Sequence, residues 1–388
     1  MAFITAQQIH DGRKWLPAGS VIETTADGAI VAIHDKATAD TVFYEGVLAP
    51  GFVNAHCHLE LSHMKGLVPE HTGLVPFLKE IPLHRNDFSI EEKLTARHNA
   101  YRELIANGIV AVGDIANTTD SLDLRALDAM HIHTFIESIG FTEANAAKAF
   151  DFALQAYNAY NTQPVKEKLL RQTIAPHAPY SVSPALFRMI GAHGNGAMLS
   201  IHNQESEEEN KFYISKEGAI NSLLQALNVE AGFFQPSGRS SLQTYLGWVS
   251  ADKPVIFVHN TYTKLEDVRF ALQRSGQAFW CLCPNANLYI ENRLPDIDML
   301  INEGVTICVG TDSLASNHGL SIISELATIK QHYPALPWET LLRWGTCNGA
   351  EALQMGEKLG AIAPGKKPGI VQLSGLENGF KPSVKRII

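Results

Sequence analysis

Beyond residue 50 the chain alternates short, nearly continuous apolar runs with longer stretches of helical periodicity. The eight runs are 47–53, 108–114, 132–137, 172–177, 197–202, 254–259, 278–283 and 305–312. A short apolar run bounded by turn residues reads as a strand covered on both faces, as a parallel sheet requires. Between the first two runs, residues 90–107 set Leu94, His98, Tyr101, Leu104 and Ile105 on one helical face. Strands alternating with helices, eight times over roughly 300 residues, predict an α/β fold of the (β/α)8 TIM barrel type. Residues 1–48 lack helical periodicity and read as short strands with turns at Asp11-Gly12 and Asp27-Gly28. Strand character returns at 360–373, expected to pair with the N-terminal strands. The chain therefore divides into 1–48, a barrel over 49–355, and 356–388.

Two stretches interrupt the alternation. Residues 62–88, rich in His, Pro and Gly, read as a long loop. Residues 205–250 hold an acidic run at 205–209, read mainly as a solvated face, then a helix-like segment at 219–227 and a loop at 235–242. An insertion of this size after a strand is a natural substrate lid.

Charge and composition narrow the partners. A net charge of -9 over 388 residues, with no basic stripe, excludes a nucleic-acid surface. No apolar run is long enough for a membrane span, and the first residues lack the pattern of a secretory leader. Five cysteines at 57, 281, 283, 308 and 347 follow no framework spacing, so free thiols and a cytoplasmic setting are expected. A small-molecule substrate is the expected partner. A homodimer is compatible with this reading, though nothing in the sequence specifies an interface.

The candidate chemistry sits where the runs end. Pro50 to His58 finishes in two histidines spaced i, i+2, which share one face of a strand and can meet one point in space. His177, His202, His259 and Asp312 close four further runs. In a barrel the C-terminal strand ends form one rim, so these groups converge. Three imidazoles and a carboxylate suit one divalent metal ion, Zn2+ first and Fe2+ as the alternative. His56, His58, His202 and Asp312 are the expected ligands. Glu205, three residues past His202, is positioned as a proton donor, and His259 as the group that orients water or stabilises charge.

Taken in order, Pro-Gly-Phe-Val-Asn-Ala-His-Cys-His, Pro-His-Ala-Pro-Tyr, Ile-His-Asn-Gln-Glu, Val-His-Asn, Cys-Pro-Asn-Ala-Asn and Gly-Thr-Asp-Ser resemble the amidohydrolase superfamily. The likeness spans nearly the whole chain and is closest to the cytosine deaminase, guanine deaminase and chlorohydrolase branch. It implies a small β-sandwich built from both chain ends. It also implies one metal held by His56, His58, His202 and Asp312, with Glu205, His259 and Asp312 catalytic and His177 touching substrate. The strand-4 position lacks the lysine that bridges two metals in the binuclear branch. The resemblance implies hydrolytic deamination of an amino-substituted N-heterocycle. His58-Leu-Glu-Leu-Ser62, the Pro236-Ser-Gly-Arg-Ser-Ser241 loop and Gly365-Lys-Lys-Pro-Gly-Ile370 resemble a group that includes 6-amino-6-deoxyfutalosine deaminases, which serve menaquinone biosynthesis. On that likeness Glu60 and Ser62 meet substrate and Arg239 meets a carboxylate. The alternatives are a chlorohydrolase-like enzyme acting on a C–Cl, C–N or ring amide bond, and a non-catalytic binding protein on the same scaffold.

Overall fold

The computed structural model describes residues 1–164, 167–377 and 381–388. The chain opens with β1 (Ala2–Ile9), β2 (Val21–Thr24), β3 (Ile30–His34) and β4 (Thr41–Pro50). A first parallel sheet follows, β5 (Phe52–Cys57), β6 (Ile109–Ala116), β7 (His131–Ser138) and β8 (Leu170–Pro176), paired in that order. A second parallel sheet comprises β9 (Leu199–Asn203), β10 (Val255–His259), β11 (Ala278–Leu282) and β12 (Thr306–Val309), also neighbours in order. The chain closes with β13 (Ile370–Ser374) and β14 (Ser383–Arg386). Both chain ends meet in one six-stranded sheet of order β14-β13-β4-β1-β2-β3, in which β13 runs antiparallel to β4.

The expected first run, 47–53, is two strands rather than one. Val47–Pro50 belongs to β4 in the terminal sheet, and the parallel sheet begins at Phe52. Gly51 separates them because nothing larger fits: a Cβ there would lie 2.3 Å from Val110 Cγ1 and 2.9 Å from the Pro368 carbonyl.

The period of two decides which side chains face inward. Ile132 and Ile136 of β7, and Leu199 and Ile201 of β9, pack outward against the helices. Phe135 turns the other way and shares an inner cluster with Val53, Ala111, Ile256, Phe279, Cys281 and Cys308, drawn from both parallel sheets. The sheets also join at both edges. His202 N–H donates to the His177 carbonyl at 3.0 Å, and the Thr311 and Asp312 amides both donate to the His56 carbonyl, at 3.0 and 3.1 Å. Gly310 permits the second join, since a Cβ there would stand 2.7 Å from the His56 carbonyl oxygen.

The predicted helix forms at Ile90–Ala106, started by a capping box in which Ser89 Oγ accepts the Glu92 amide and Glu92 returns a bond to the Ser89 amide. Its buried face is Ala100, Tyr101 and Leu104 with Arg97; Leu94 is 41% exposed. Arg97 turns inward because Asp123 pairs with it at 3.2 Å. Residues 62–88 are not a loop throughout: Leu74–His84 is helical. Pro76 falls in its first turn, where a missing N–H costs nothing, and Pro82 in its last. The five cysteines are free and buried. No described helix is long and apolar enough to cross a membrane.

Candidate active site

The parallel strands deliver their C-terminal ends to one place. His56 lies in β5 and His58 one residue beyond it, His202 lies in β9, His259 ends β10, and Asp312 follows β12. His58 Nε2 is 3.1 Å from His56 Nε2 and 3.2 Å from His202 Nε2. Asp312 Oδ1 is 3.4 Å from His58 Nε2 and 3.6 Å from His56 Nε2. The structure thus brings the four expected ligands together. His259 joins them, with one donor atom each of His56, His202, His259 and Asp312 lying within 4.8 Å of one another.

Hydrogen bonding does not explain this cluster. The Nδ1 of His202 is committed to the His177 carbonyl at 2.8 Å, which leaves its Nε2 as a bare lone pair. His58 Nε2 faces that lone pair and a second imidazole nitrogen together, and a neutral ring has one N–H to offer. A cation at the centre resolves the conflict. Metal–ligand bonds of about 2.0–2.1 Å in a tetrahedron set ligand edges of about 3.3 Å, close to the four separations seen. Protonation states agree with this fit. Burial pushes His58 down to about 3 and holds His56 and His202 below the ordinary histidine value, so all three are neutral donors. Burial by itself would raise Asp312, but His56, His58 and His259 outweigh it and keep the carboxylate ionised.

Glu205 and His259 stand beside the cluster. Glu205 Oε1 is 3.6 Å from His259 Nε2, and both side chains are buried. Burial first, then the charges of Asp312 and Glu291, lift Glu205 well above the usual carboxyl range. It is therefore a proton carrier rather than a permanent anion. His259 Nδ1 lies 2.9 Å from Asn287 Oδ1, which fixes the tautomer and turns the free Nε2 lone pair toward the site. Backbone strain concentrates here. Gln204, His259, Asn260 and Asp312 adopt left-handed conformations, at φ of 45°, 72°, 60° and 56°. Each costs on the order of 1–3 kcal/mol. Local bonds hold them, such as Asn260 N–H to the Asn203 carbonyl at 3.0 Å.

A cavity of about 260 Å³ opens above this floor, near the lower end of the roughly 300–1,000 Å³ common for small-molecule sites. Its upper wall is apolar: Leu74, Phe77, Leu78 and Ile81 from the Leu74–His84 helix face Leu223 and Leu224 of the Ile220–Ala226 helix. The 205–250 insertion does cover the site, as a lid would. Its acidic start is less solvated than expected, because Glu205 and Glu209 are buried and only Glu207 is fully exposed. Glu209 accepts the Gln204 amide at 3.0 Å and the Ser241 hydroxyl, bracing the turn that carries Glu205.

His177 lines the cavity with its Nδ1 2.7 Å from Ser181 Oγ. The other expected substrate contacts are placed elsewhere. Glu60 accepts the Asn117 and Thr118 amides, each at 3.0 Å, and the Thr118 hydroxyl at 2.7 Å. Its two oxygens are spent on the loop after β6. Ser62 Oγ donates to the Leu59 carbonyl at 2.8 Å. Arg239 sits on an exposed loop, anchored by its own amide to Ser237 Oγ. None of the three is among the described residues lining the cavity. Glu137 and Asn117 are, and sequence reasoning passed over both. Glu137 is 3.3 Å from His202 Nδ1, accepts Asn117 Nδ2 at 2.9 Å, and is raised to about 8 by burial. The signal was present, since Glu137 ends an apolar run just as His177 does.

Comparisons with known proteins fit this geometry. An adenosine deaminase of Helicobacter pylori is 27% identical over 319 residues, covering 81% of this chain and 76% of that protein. The crystal structure of H. pylori aminofutalosine deaminase with methylthio-coformycin superposes with a TM-score of 0.81 at 22% identity, covering 100% of both chains. A zinc-bound adenosine deaminase from Xanthomonas campestris gives a TM-score of 0.77 at 23% identity, covering 97% of this chain and 85% of that one. The model described as "Amidohydrolase family" matches residues 47–385, from the end of β4 into β14, and the chain belongs to that family.

Proposed function

We propose that this protein is a metal-dependent hydrolytic deaminase of an adenine-type compound, in which water replaces the exocyclic amino group by a carbonyl oxygen and ammonia leaves. The best-fitting substrate is 6-amino-6-deoxyfutalosine. One observation carries the reading: donor atoms of His56, His58, His202 and Asp312 converge beside the buried carboxyl of Glu205 and the imidazole of His259, whose Nδ1 faces Asn287, at the floor of one cavity. The names of the three relatives described above, two adenosine deaminases and an aminofutalosine deaminase, support it.

In this reading His56, His58, His202 and Asp312 hold the cation, taken as zinc by analogy with the zinc-bound relative. A divalent cation held there would supply a water with its pKa lowered towards about 7. Glu205 gives its proton to the ring nitrogen next to the reacting carbon, which makes that carbon electrophilic. Asp312 and the free Nε2 of His259 accept the proton lost by water and pass it to the departing amine. His177, Glu137 and Asn117 orient the substrate along the cavity wall. The two parallel sheets are read as one closed (β/α)8 barrel over 49–355, and the terminal sheet as the counterpart of the expected sandwich. A cytoplasmic setting is taken from the five free thiols.

The test is ammonia release by zinc-loaded protein from 6-amino-6-deoxyfutalosine, methylthioadenosine, adenosine, adenine, guanine and cytosine. Turnover of an adenine nucleoside is expected. Ammonia from none of them, with one zinc bound per chain, removes the deaminase reading and brings the chlorohydrolase-like alternative forward.

A further inference from the structure

One buried carboxylate behind the cavity floor takes four hydrogen bonds and has no part in the reaction steps above. Asp267 lies in the first turn of the Leu265–Arg274 helix that follows β10, and it is 1% exposed. Its Oδ2 accepts the Lys264 amide at 3.2 Å and Gln204 Nε2 at 2.9 Å. Its Oδ1 accepts the Ser240 hydroxyl at 2.5 Å and Gln243 Nε2 at 2.8 Å. Starting its own helix requires the Lys264 bond alone. The other three reach two distant segments. Ser240 caps the Ser241–Tyr245 helix near the end of the 205–250 insertion, and Gln204 directly precedes Glu205.

Gln204 is where these bonds meet the site. Its side chain is buried and its backbone is left-handed, at φ of 45°. Such a conformation in a residue with a Cβ is imposed by the surroundings rather than preferred locally. The side-chain amide is held at both ends: Oε1 accepts the Thr263 hydroxyl at 2.8 Å, while Nε2 donates to Asp267 and to Asn210 Oδ1, the latter at 3.1 Å. The torsions at Gln204 set where the next residue stands, and that residue places its Oε1 3.6 Å from His259 Nε2.

We infer that Asp267 is a positioning residue for Glu205: it locks Gln204 in the left-handed turn that aims the proton donor, and it ties that turn to the end of the insertion covering the cavity. The inference rests on the proposed deaminase reading, which gives Glu205 a proton to deliver. Asp267 is not among the described residues lining the cavity, so it acts only through Gln204. A carboxylate accepts on both oxygens and satisfies all four donors. An amide of the same shape offers one acceptor oxygen, and its NH2 faces two donors whichever way it is turned. Asparagine at 267 therefore releases either Gln204 and Lys264 or Ser240 and Gln243.

The test measures ammonia release from 6-amino-6-deoxyfutalosine and methylthioadenosine by metal-loaded wild type, D267N, E205Q and the D267N/E205Q double variant, with metal content recorded for each. D267N is expected to lower kcat by about 10–10²-fold, to leave KM within about twofold, and to keep the metal content of the wild type. In the E205Q background the same substitution should change the residual rate by less than about twofold, because no transferable proton is left to aim. Q204A cuts the same link from its other end and carries the same comparison if D267N does not fold. Loss by the same factor with and without Glu205 would make Asp267 a general brace of the fold and overturn the inference, as would an undiminished kcat in D267N. Either result leaves the deaminase reading standing. No ammonia from metal-loaded wild type with either nucleoside removes both.

Discussion

The floor and the mouth of the cavity are built on opposite principles. The floor consists of buried residues at or just past parallel strand ends, with four left-handed residues pinned by neighbouring bonds. The mouth consists of two helices from the long segments after β5 and β9, and its apolar side chains, Leu78 and Ile81 among them, are only partly covered. Strand ends are held by ladders on both sides and keep donors within a few tenths of an ångström. Helices hung on connections can vary in sequence and position without disturbing that order. Chemistry accordingly sits where the chain is over-determined, and selectivity where it is not.

Mutations can break this contrast in graded steps. The largest effect is expected for D312A, which removes a ligand and a proton acceptor together. Activity should fall by more than about 10³-fold, and metal analysis should find the cation lost. E205Q keeps the shape but not the transferable proton, so kcat should drop by about 10²–10⁴-fold with metal stoichiometry unchanged. Metal loss in E205Q would place that carboxylate among the ligands and redraw the floor. In the mouth, L78S should raise KM for the nucleoside by roughly tenfold and leave kcat within about twofold. An equal fall in kcat would show that the mouth takes part in the chemical step.

The smallest effect tests the brace beneath Glu205. Burial raises Glu209 from 4.5 to about 8, so the folded state holds this proton more tightly than the unfolded chain. That contribution to stability is complete below about pH 4.5 and is lost as pH rises through about 8. E209Q, which cannot ionise, should therefore gain thermal stability relative to wild type between pH 5 and 8.5. The slope is at most about 1.4 kcal/mol per pH unit. A difference in Tm that does not change with pH would mean that Glu209 stays ionised.

Particular residues show how far the sequence could be read. His56 and His58 were legible because i, i+2 spacing on a strand fixes a shared face whatever the surroundings. His202, His259 and Asp312 were legible because each closes an apolar run. Asp114 also closes an apolar run, yet its carboxylate accepts the Leu59 amide at 3.3 Å. Local pattern places a residue at a strand end but does not choose its hydrogen-bond partner. Glu60 and Arg239, expected at the substrate, are not among the described residues lining the cavity, because whether a polar side chain meets solvent, backbone or ligand depends on segments far away in sequence. Asn117 and Thr118 take Glu60 from 57 and 58 residues away. The split of the first run at Gly51 escaped notice because two strands of different sheets follow one another with a single residue between them.

By itself the sequence determined the alternation of strand and helix, and the histidines and aspartate that meet at the strand ends. These follow from period and spacing, which act within a few residues. Only the tertiary structure decided the order of the terminal sheet, in which β13 lies between β14 and β4. It alone showed that Leu74–His84 and Ile220–Ala226 wall the cavity. Those outcomes depend on which distant segments pack together, and burial and pairing at that range are settled by the fold as a whole.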